Sequence, residues 1–315
     1  MMKKSFCELV LDYFPRISQL ESLYATNIAN CVLNSFLSYT AIMLNIVTIH
    51  AIRKTPSLPK TLKTLLLSLA VSDVGVGFLV ELFYTSILIK WLQKMIPNCE
   101  TYRTFAILGN LFATASFLGV VAVSVDRFLA IHLHLRYQEL VTHKRVVAVV
   151  ISIWAFSVFV SFLLSWVPLD TYSLIMAFSA TVGLVITTMI YLRIYFAVKQ
   201  HKNQIQVRQV QQIAIFARLT KSAVGIFYVY LVFLVCYLPY LICLVAQMNG
   251  PSIVLKRYSL FSFTLLYLNS SLNPVIYCWK MRHIRHAVVN ILRNMSWHKS
   301  GASRETLALV VHTMP

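Results

Sequence analysis

The chain has 315 residues, of which 58% are hydrophobic and 12% charged, and its mean hydropathy is +0.72. A domain folded in water carries about 25% charged residues, so this composition excludes an ordinary soluble surface and makes lipid the surrounding solvent. The formal net charge of +18 suits either a polyanionic partner or a membrane topology signal, and the positions of the charges decide between them.

The opening residues MMKKSFCELVLDYFP have a basic start, but Glu8 and Asp12 break the apolar run, so no cleaved signal peptide is expected and the first span serves as the signal. Stretches without Asp, Glu, Lys or Arg follow at Ser22–Ile52, Thr104–Val125, Val146–Leu169, Thr171–Leu192, Ser222–Leu255 and Tyr258–Trp279. A further stretch, Thr64–Ile89, is interrupted only by Asp73 and Glu81. Each is long enough to cross about 30 Å of hydrocarbon as a helix, and backbone groups in lipid must bond within their own segment. The fold class is therefore an all-α membrane protein, a seven-transmembrane helix bundle with a short amphipathic eighth helix. Only Asp170 separates the fourth and fifth stretches, so a turn beginning at Pro168 is all that joins them.

Twenty Lys and Arg fall on one face of such a bundle and eight on the other, which places the N-terminus outside and the C-terminus in the cytoplasm. The positive charge is thus mainly topogenic, and no nucleic-acid partner is expected. The chain divides into residues 1–28 as an extracellular N-terminus, 29–279 as the seven-span domain, 280–296 as an amphipathic cytoplasmic helix and 297–315 as a cytoplasmic tail. The basic segment KMRHIRHAVVNILR is amphipathic and should lie on anionic membrane lipid.

Ionisable groups at membrane depth are costly unless paired or hydrated. Asp73, at the end of SLAVSD, needs polar neighbours, and Asn45, Ser116, Asn269, Ser270 and Asn273 are the candidates on other spans. Carboxylate, carbonyl and hydroxyl oxygens together suit a small hard cation such as sodium, while a satisfied polar core that only packs helices would show the same residues. Pro274 in NSSLNPVIY frees a carbonyl one turn earlier, and Pro239 in FLVCYLP is a second kink point, with Phe233, Tyr237 and Tyr240 nearby. Asp126 and Arg127 close the third span and are expected to neutralise each other until a cytoplasmic partner competes for Arg127.

Taken in this order, the pieces resemble the rhodopsin-like (class A) G-protein-coupled receptor family over about residues 30–292. The matching residues are Asn45, LAVSD ending at Asp73, Asp126-Arg127-Phe128, Trp154, Tyr191, Cys236-Tyr237-Leu238-Pro239 and Asn273-Pro274-Val275-Ile276-Tyr277. DRFLAIHLHLRY with YLRIYFAVK looks most like adenosine receptors, and the near-absent loop at Asp170 is similar to melanocortin receptors. The resemblance implies a plasma-membrane receptor that converts binding of an extracellular small-molecule or peptide ligand into activation of a heterotrimeric G protein, with no enzymatic activity. It implies a coupling switch of Asp126, Arg127, Tyr191, Pro239, Asn273, Pro274 and Tyr277, with Tyr191 and Tyr277 meeting over Arg127 in the active state. It implies ligand contacts at Gly109, Asn110, Ala113, Tyr237, Tyr240, Leu244, Phe263 and Tyr267. No cofactor is implied beyond an allosteric sodium ion at Asp73, Ser116, Asn269 and Asn273.

Several residues depart from the family pattern. Tyr102 stands where the family has a disulfide Cys, and Cys99 lies one turn earlier. Cys236, Cys243 and Cys278 read as buried, which leaves Cys7, Cys31 and Cys99 near the oxidising side, where a Cys7–Cys99 bridge fits. Tyr237 replaces a usual Trp, Gly183 a common Pro and His134 a frequent Pro. Gly109 occupies the place where amine receptors keep an Asp, so a monoamine held by that ion pair is not expected, and the seventh span lacks the Lys of an opsin. Leu244 stands where adenosine receptors have Asn, while Glu81, Glu100 and Asp170 are the acids on the outer side. No acid lies between Asp170 and Glu305, so Arg127 has no carboxylate on the sixth span, where Arg218 and Lys221 stand, and raised ligand-free signalling is expected. The competing reading is a seven-helix transporter or channel relaying ions through Asp73 and Glu81. An intramembrane enzyme lacks a second Asp partnered to Asp73, and the histidines His50, His132, His134 and His143 lack ligand spacing.

Overall fold

The computed structural model describes residues 14–133, 136–203, 210–246, 252–291 and 293. Within them the chain forms α1 (Tyr24–Lys54), α2 (Lys60–Leu92), α3 (Cys99–Leu133), α4 (His143–Leu163), α5 (Leu169–Asn203), α6 (Val210–Ala246), α7 (Ile253–Lys280) and α8 (residues 282–291). One-turn helices at Ile17–Leu20 and Tyr137–Leu140 accompany them, and no strand occurs among the described residues. The end of the bundle carrying residues 14–23 is the N-face, and the end carrying α8 is the C-face. Among the described residues six helices are long and apolar enough to cross a membrane. α7 is as long as a span requires at 28 residues, but its Asn269, Ser270, Ser271 and Asn273 are buried against other helices, so its polarity faces inward.

The bundle is polar inside and apolar outside. On α1, Asn27, Asn30, Asn34, Ser38, Asn45 and Thr48 follow helical spacing and are buried, while Val32, Phe36 and Tyr39 point outward. This inward polar stripe explains why α1 starts at Tyr24, ahead of the boundary at 29 set by hydropathy. Asn34 donates to Thr264 Oγ1 at 2.8 Å, and Thr264 donates to Asn30 Oδ1 at 2.5 Å, which ties α1 to α7. Ser38 donates to the Gly77 carbonyl at 2.8 Å. A Cβ on Gly77 would lie 3.0 Å from Ala41 Cβ, so glycine permits this α1–α2 approach.

α3 runs through the middle of the bundle and packs on α2, α4, α5 and α6, while α6 and α1 flank α7. Side chains set the helix starts: Thr142 accepts from the Arg145 amide and Ser252 from the Leu255 amide, at 3.4 and 3.1 Å. The α4–α5 connection occupies residues 164–168, the turn that the sequence required. α2 is not uniformly α-helical, because Val76–Glu81 forms a π-helical turn between Asp73 and Tyr84. Such turns carry an extra residue and rotate the side chains that follow, a feature hydropathy does not encode.

Candidate functional site

Three clusters line the interior, and the deepest lies at Asp73. Its carboxylate is fully buried, and Oδ2 accepts from Asn273 Nδ2 at 2.9 Å. Asn45 Nδ2 donates to the Ser270 carbonyl at 2.9 Å. That carbonyl is the one Pro274 frees, since proline offers no amide to the residue four positions earlier, so α1 supplies the bond missing from α7. Asp73 Oδ1, Ser116 Oγ, Asn269 Oδ1 and Asn273 Oδ1 are buried and accept or donate no hydrogen bond. Unsatisfied oxygens on a carboxylate, a hydroxyl and two amides form a donor set fitted to a small hard cation.

The second cluster closes the C-face end of α3. Arg127 is 2% exposed, and its guanidinium is bonded to Asp126, with Nε to Oδ2 at 2.9 Å. Tyr137 donates to the other carboxylate oxygen at 2.6 Å, and Thr61 of α2 meets the same hydroxyl at 3.0 Å. Because the Tyr137 proton is committed to Asp126, Thr61 is the donor in that pair. Burial and the Asp126 charge push the Tyr137 phenol up to about 12. A raised phenol pKa favours the protonated form in the folded chain, so its contribution is complete below about 10 and is lost as pH rises through about 12. The hydroxyl therefore remains a donor throughout the physiological range. Tyr191 bonds Ser124 at 2.9 Å and stacks on Tyr230, whereas the Tyr277 hydroxyl is buried without a partner. No hydrogen bond joins the two tyrosines, and Arg127 is held by its own neighbour Asp126. The sequence reading missed Tyr137, Thr61 and Ser124, because hydroxyls a turn or a loop away carry no charge signature.

Toward the N-face, Phe263 and Tyr267 of α7 join Tyr240 of α6, Tyr84 of α2 and Phe105 of α3 in one aromatic group. Tyr84 stacks on Phe105 at 5.5 Å, and Phe263 lies 5.7 Å from Tyr84 and 5.5 Å from Tyr240. Tyr84 and Phe105, which are buried with Tyr267, were not among the candidate contacts. A Cβ at Gly109 would meet only Val80, at 3.9 Å, so space opens between α3 and α2. Tyr237 stacks on Phe233 at 3.7 Å and reaches the Ala113 carbonyl at 3.4 Å. Asn110 turns back to the Ala106 carbonyl of its own helix, and Leu244 is half-buried outside the ring group. Trp154 bonds Ser68 and packs edge-on to Phe112. Pro239 lies within the continuous helix α6.

Glu81 is not at the outer surface: it is completely buried, and neither oxygen has a hydrogen-bond partner. Glu100 does face out and pairs with Arg103 at 2.9 Å, and the Asp170, Arg218 and Lys221 side chains lie outside the described ones. Cys99 is disulfide-bonded, whereas Cys31, Cys236, Cys243 and Cys278 are free, and Cys278 is only half-buried. Cys7, like His134, lies outside the described residues. Phe14 stacks on Tyr102 at 4.5 Å, and buried Lys256 donates to the Phe14 carbonyl at 2.8 Å and to Gln19 at 3.2 Å, so residues 14–23 strap the N-face.

The chain is similar to the adenosine receptor A3 of Canis lupus familiaris, at 24% identity over 86% of this chain and 93% of that protein. It is 23% identical to the octopamine receptor beta-1R of Drosophila melanogaster over 84% of this chain and 61% of that one. With the histamine H2 receptor of Canis lupus familiaris the identity is 26% over 72% and 69%. The profile of the seven-transmembrane receptor (rhodopsin) family matches residues 44–168 and 165–277. Seven helices around a buried Asp73, a buried Asp126–Arg127 pair and a match across most of the length make one statement: the chain belongs to the rhodopsin-like (class A) family of G-protein-coupled receptors.

Proposed function

We propose that this protein is a plasma-membrane receptor with its N-face outside, which binds a small extracellular ligand between the outer halves of α2, α3, α6 and α7 and activates a heterotrimeric G protein at its C-face. The observation that carries the reading is Arg127, buried and held by Asp126 and Tyr137 at the C-face mouth of the bundle. A guanidinium kept in a bundle only by neighbouring side chains is a latent donor for a partner's backbone carbonyls. Relatives named for adenosine, octopamine and histamine support a small ligand over a protein one. Ligand and G protein then bias the same two-state bundle, and their coupling is reciprocal. Asp73, Ser116, Asn269 and Asn273 would hold sodium, a charge that stabilises the resting bundle.

The test is ligand-free nucleotide exchange on a panel of G proteins, for wild type beside Arg127→Ala at matched surface levels. Exchange above background in wild type and its loss in Arg127→Ala are expected. An ion current indifferent to guanine nucleotides would instead favour the channel reading. Sodium, compared with potassium, should raise the melting temperature of the purified receptor by an amount that grows with concentration, and Asp73→Asn should abolish the difference.

A further inference from the structure

Among the described residues Glu81 has no ion-pair or hydrogen-bond partner. Both carboxylate oxygens are buried without a hydrogen bond, a condition that costs several kcal/mol for a group left unpaired at membrane depth. No helix offers it a base: the charge-free runs of the other six spans contain no Lys or Arg, and Thr64–Ile89 contains only Asp73 and Glu81 as charged residues. The nearer basic residues are engaged elsewhere, Lys256 and Arg257 with residues 14–22 and Arg103 with Glu100.

The surroundings of the two buried acids differ. Asp73 is ringed by unsatisfied oxygens, the preference of a hard inorganic cation. Tyr84 and Thr85 follow Glu81 at i+3 and i+4, on the same face of α2, and are buried with it, and Tyr267 packs edge-on to Tyr84 at 5.7 Å. Tyr84 stacks with Phe105 and meets Phe263 and Tyr267 at 5.7 Å each. Aromatic faces attract an organic cation and do little for a hydrated metal ion. On the α3 side, Gly109 removes the acid that amine receptors keep there and leaves space beside Val80.

We propose that Glu81 and the rings of Tyr84, Phe105, Phe263 and Tyr267 form the recognition site for a compact organic ammonium, with the anchoring carboxylate supplied by α2 instead of α3. The inference rests on the receptor reading for its direction of access, because α2 runs outward from Asp73 through Glu81 to the N-face. The ammonium completes the missing ion pair, and its organic body fills the space at Gly109.

The experiment measures thermal shifts of the purified full-length receptor with 2-phenylethylamine and choline, each beside its uncharged counterpart, 2-phenylethanol and 3,3-dimethylbutanol, and beside sodium chloride alone. At least one ammonium should raise the melting temperature where its alcohol does not. Glu81→Gln should require at least about thirtyfold more of it, the loss expected when one partner of a buried charge pair is removed. Glu81→Asp should recover part of the response. If Glu81→Gln does not fold, Phe263→Leu serves instead and should weaken the ammonium about fivefold. Equal shifts by ammonium and alcohol, no shift by either ammonium, or an unaltered response in Glu81→Gln would overturn the proposal. A sodium response that vanishes in Glu81→Gln would also overturn it, making this an inorganic cation site. The assay needs no G protein, so a specific shift in a chain that never promotes exchange would retire the receptor reading and keep the site. Exchange without a shift would do the reverse.

Discussion

Tyr137 acts on Arg127 through Asp126, the carboxylate that both of them hold. Its hydroxyl holds one Asp126 oxygen while Arg127 holds the other, and Thr61 anchors it to α2. In Tyr137→Phe the carboxylate loses a charge-assisted bond of about 1.5 kcal/mol. The hold on Arg127 weakens by that amount, so ligand-free exchange should rise about tenfold at matched surface expression. Unchanged exchange would show that Asp126 alone holds the switch. No acid on α6 shares the work, because the chain has none between Asp170 and Glu305. Asp126, Arg127 and Asp73 were legible in the sequence because charge is conspicuous in an apolar chain. The hydroxyls that orient them were not, since Ser, Thr and Tyr occur throughout the spans and only packing selects which of them bond.

At the scale of the element, the informative case is the carbonyl freed within α7. Asn45 completes the Ser270 carbonyl across the helix pair, and its Nδ2 also bonds the Ala41 carbonyl. Asn45→Ala should destabilise the receptor by about 1–3 kcal/mol, because the buried carbonyl is left with nothing. In a Pro274→Ala background the helix regains its own amide donor, so the same substitution should cost markedly less. The non-additive part of this double-mutant cycle, measured by thermal melting in detergent, isolates the cross-helix bond. An additive result would mean that water satisfies the carbonyl in both backgrounds. The carbonyl freed by Pro274 was readable as a sequence rule, and so were the spans, which are the intervals between charges. The π-helical turn at Val76–Glu81 was not, because an apolar run reads the same whether its turns are α or π. Glu81, an acid on the outer side of α2, is enclosed within the bundle.

For the whole molecule, the N-face strap decides how the bundle is closed. Phe14 stacks on Tyr102, Leu20 and Leu23 are buried, and Arg257 donates to the Ser22 carbonyl at 3.0 Å. Lys256 links the strap to α7 across 242 positions of sequence, a separation at which no local pattern gives notice of contact. The disulfide at Cys99 adds a covalent tie at the start of α3; with Cys7 as its partner it would fasten the same strap. The ties at α3 and α7 couple the position of the strap to the packing of those helices. Lys256→Met removes two bonds from an ammonium, worth about 1.5–3 kcal/mol in all, while keeping the length and apolar contact of the stem. The strap should then open about ten- to a hundredfold more often, and limited proteolysis should cut between Phe14 and Leu23 faster by that factor when opening precedes cleavage. The bundle helices should remain as protected as in wild type, since their polar ladder from Asn30 to Asn273 does not involve Lys256. Equal cleavage rates would show that Phe14 stacking, the Arg257 bond and the Cys99 tie hold the strap without Lys256. Slower cleavage in wild type confined to this segment would establish that Lys256 fastens residues 14–23 to α7.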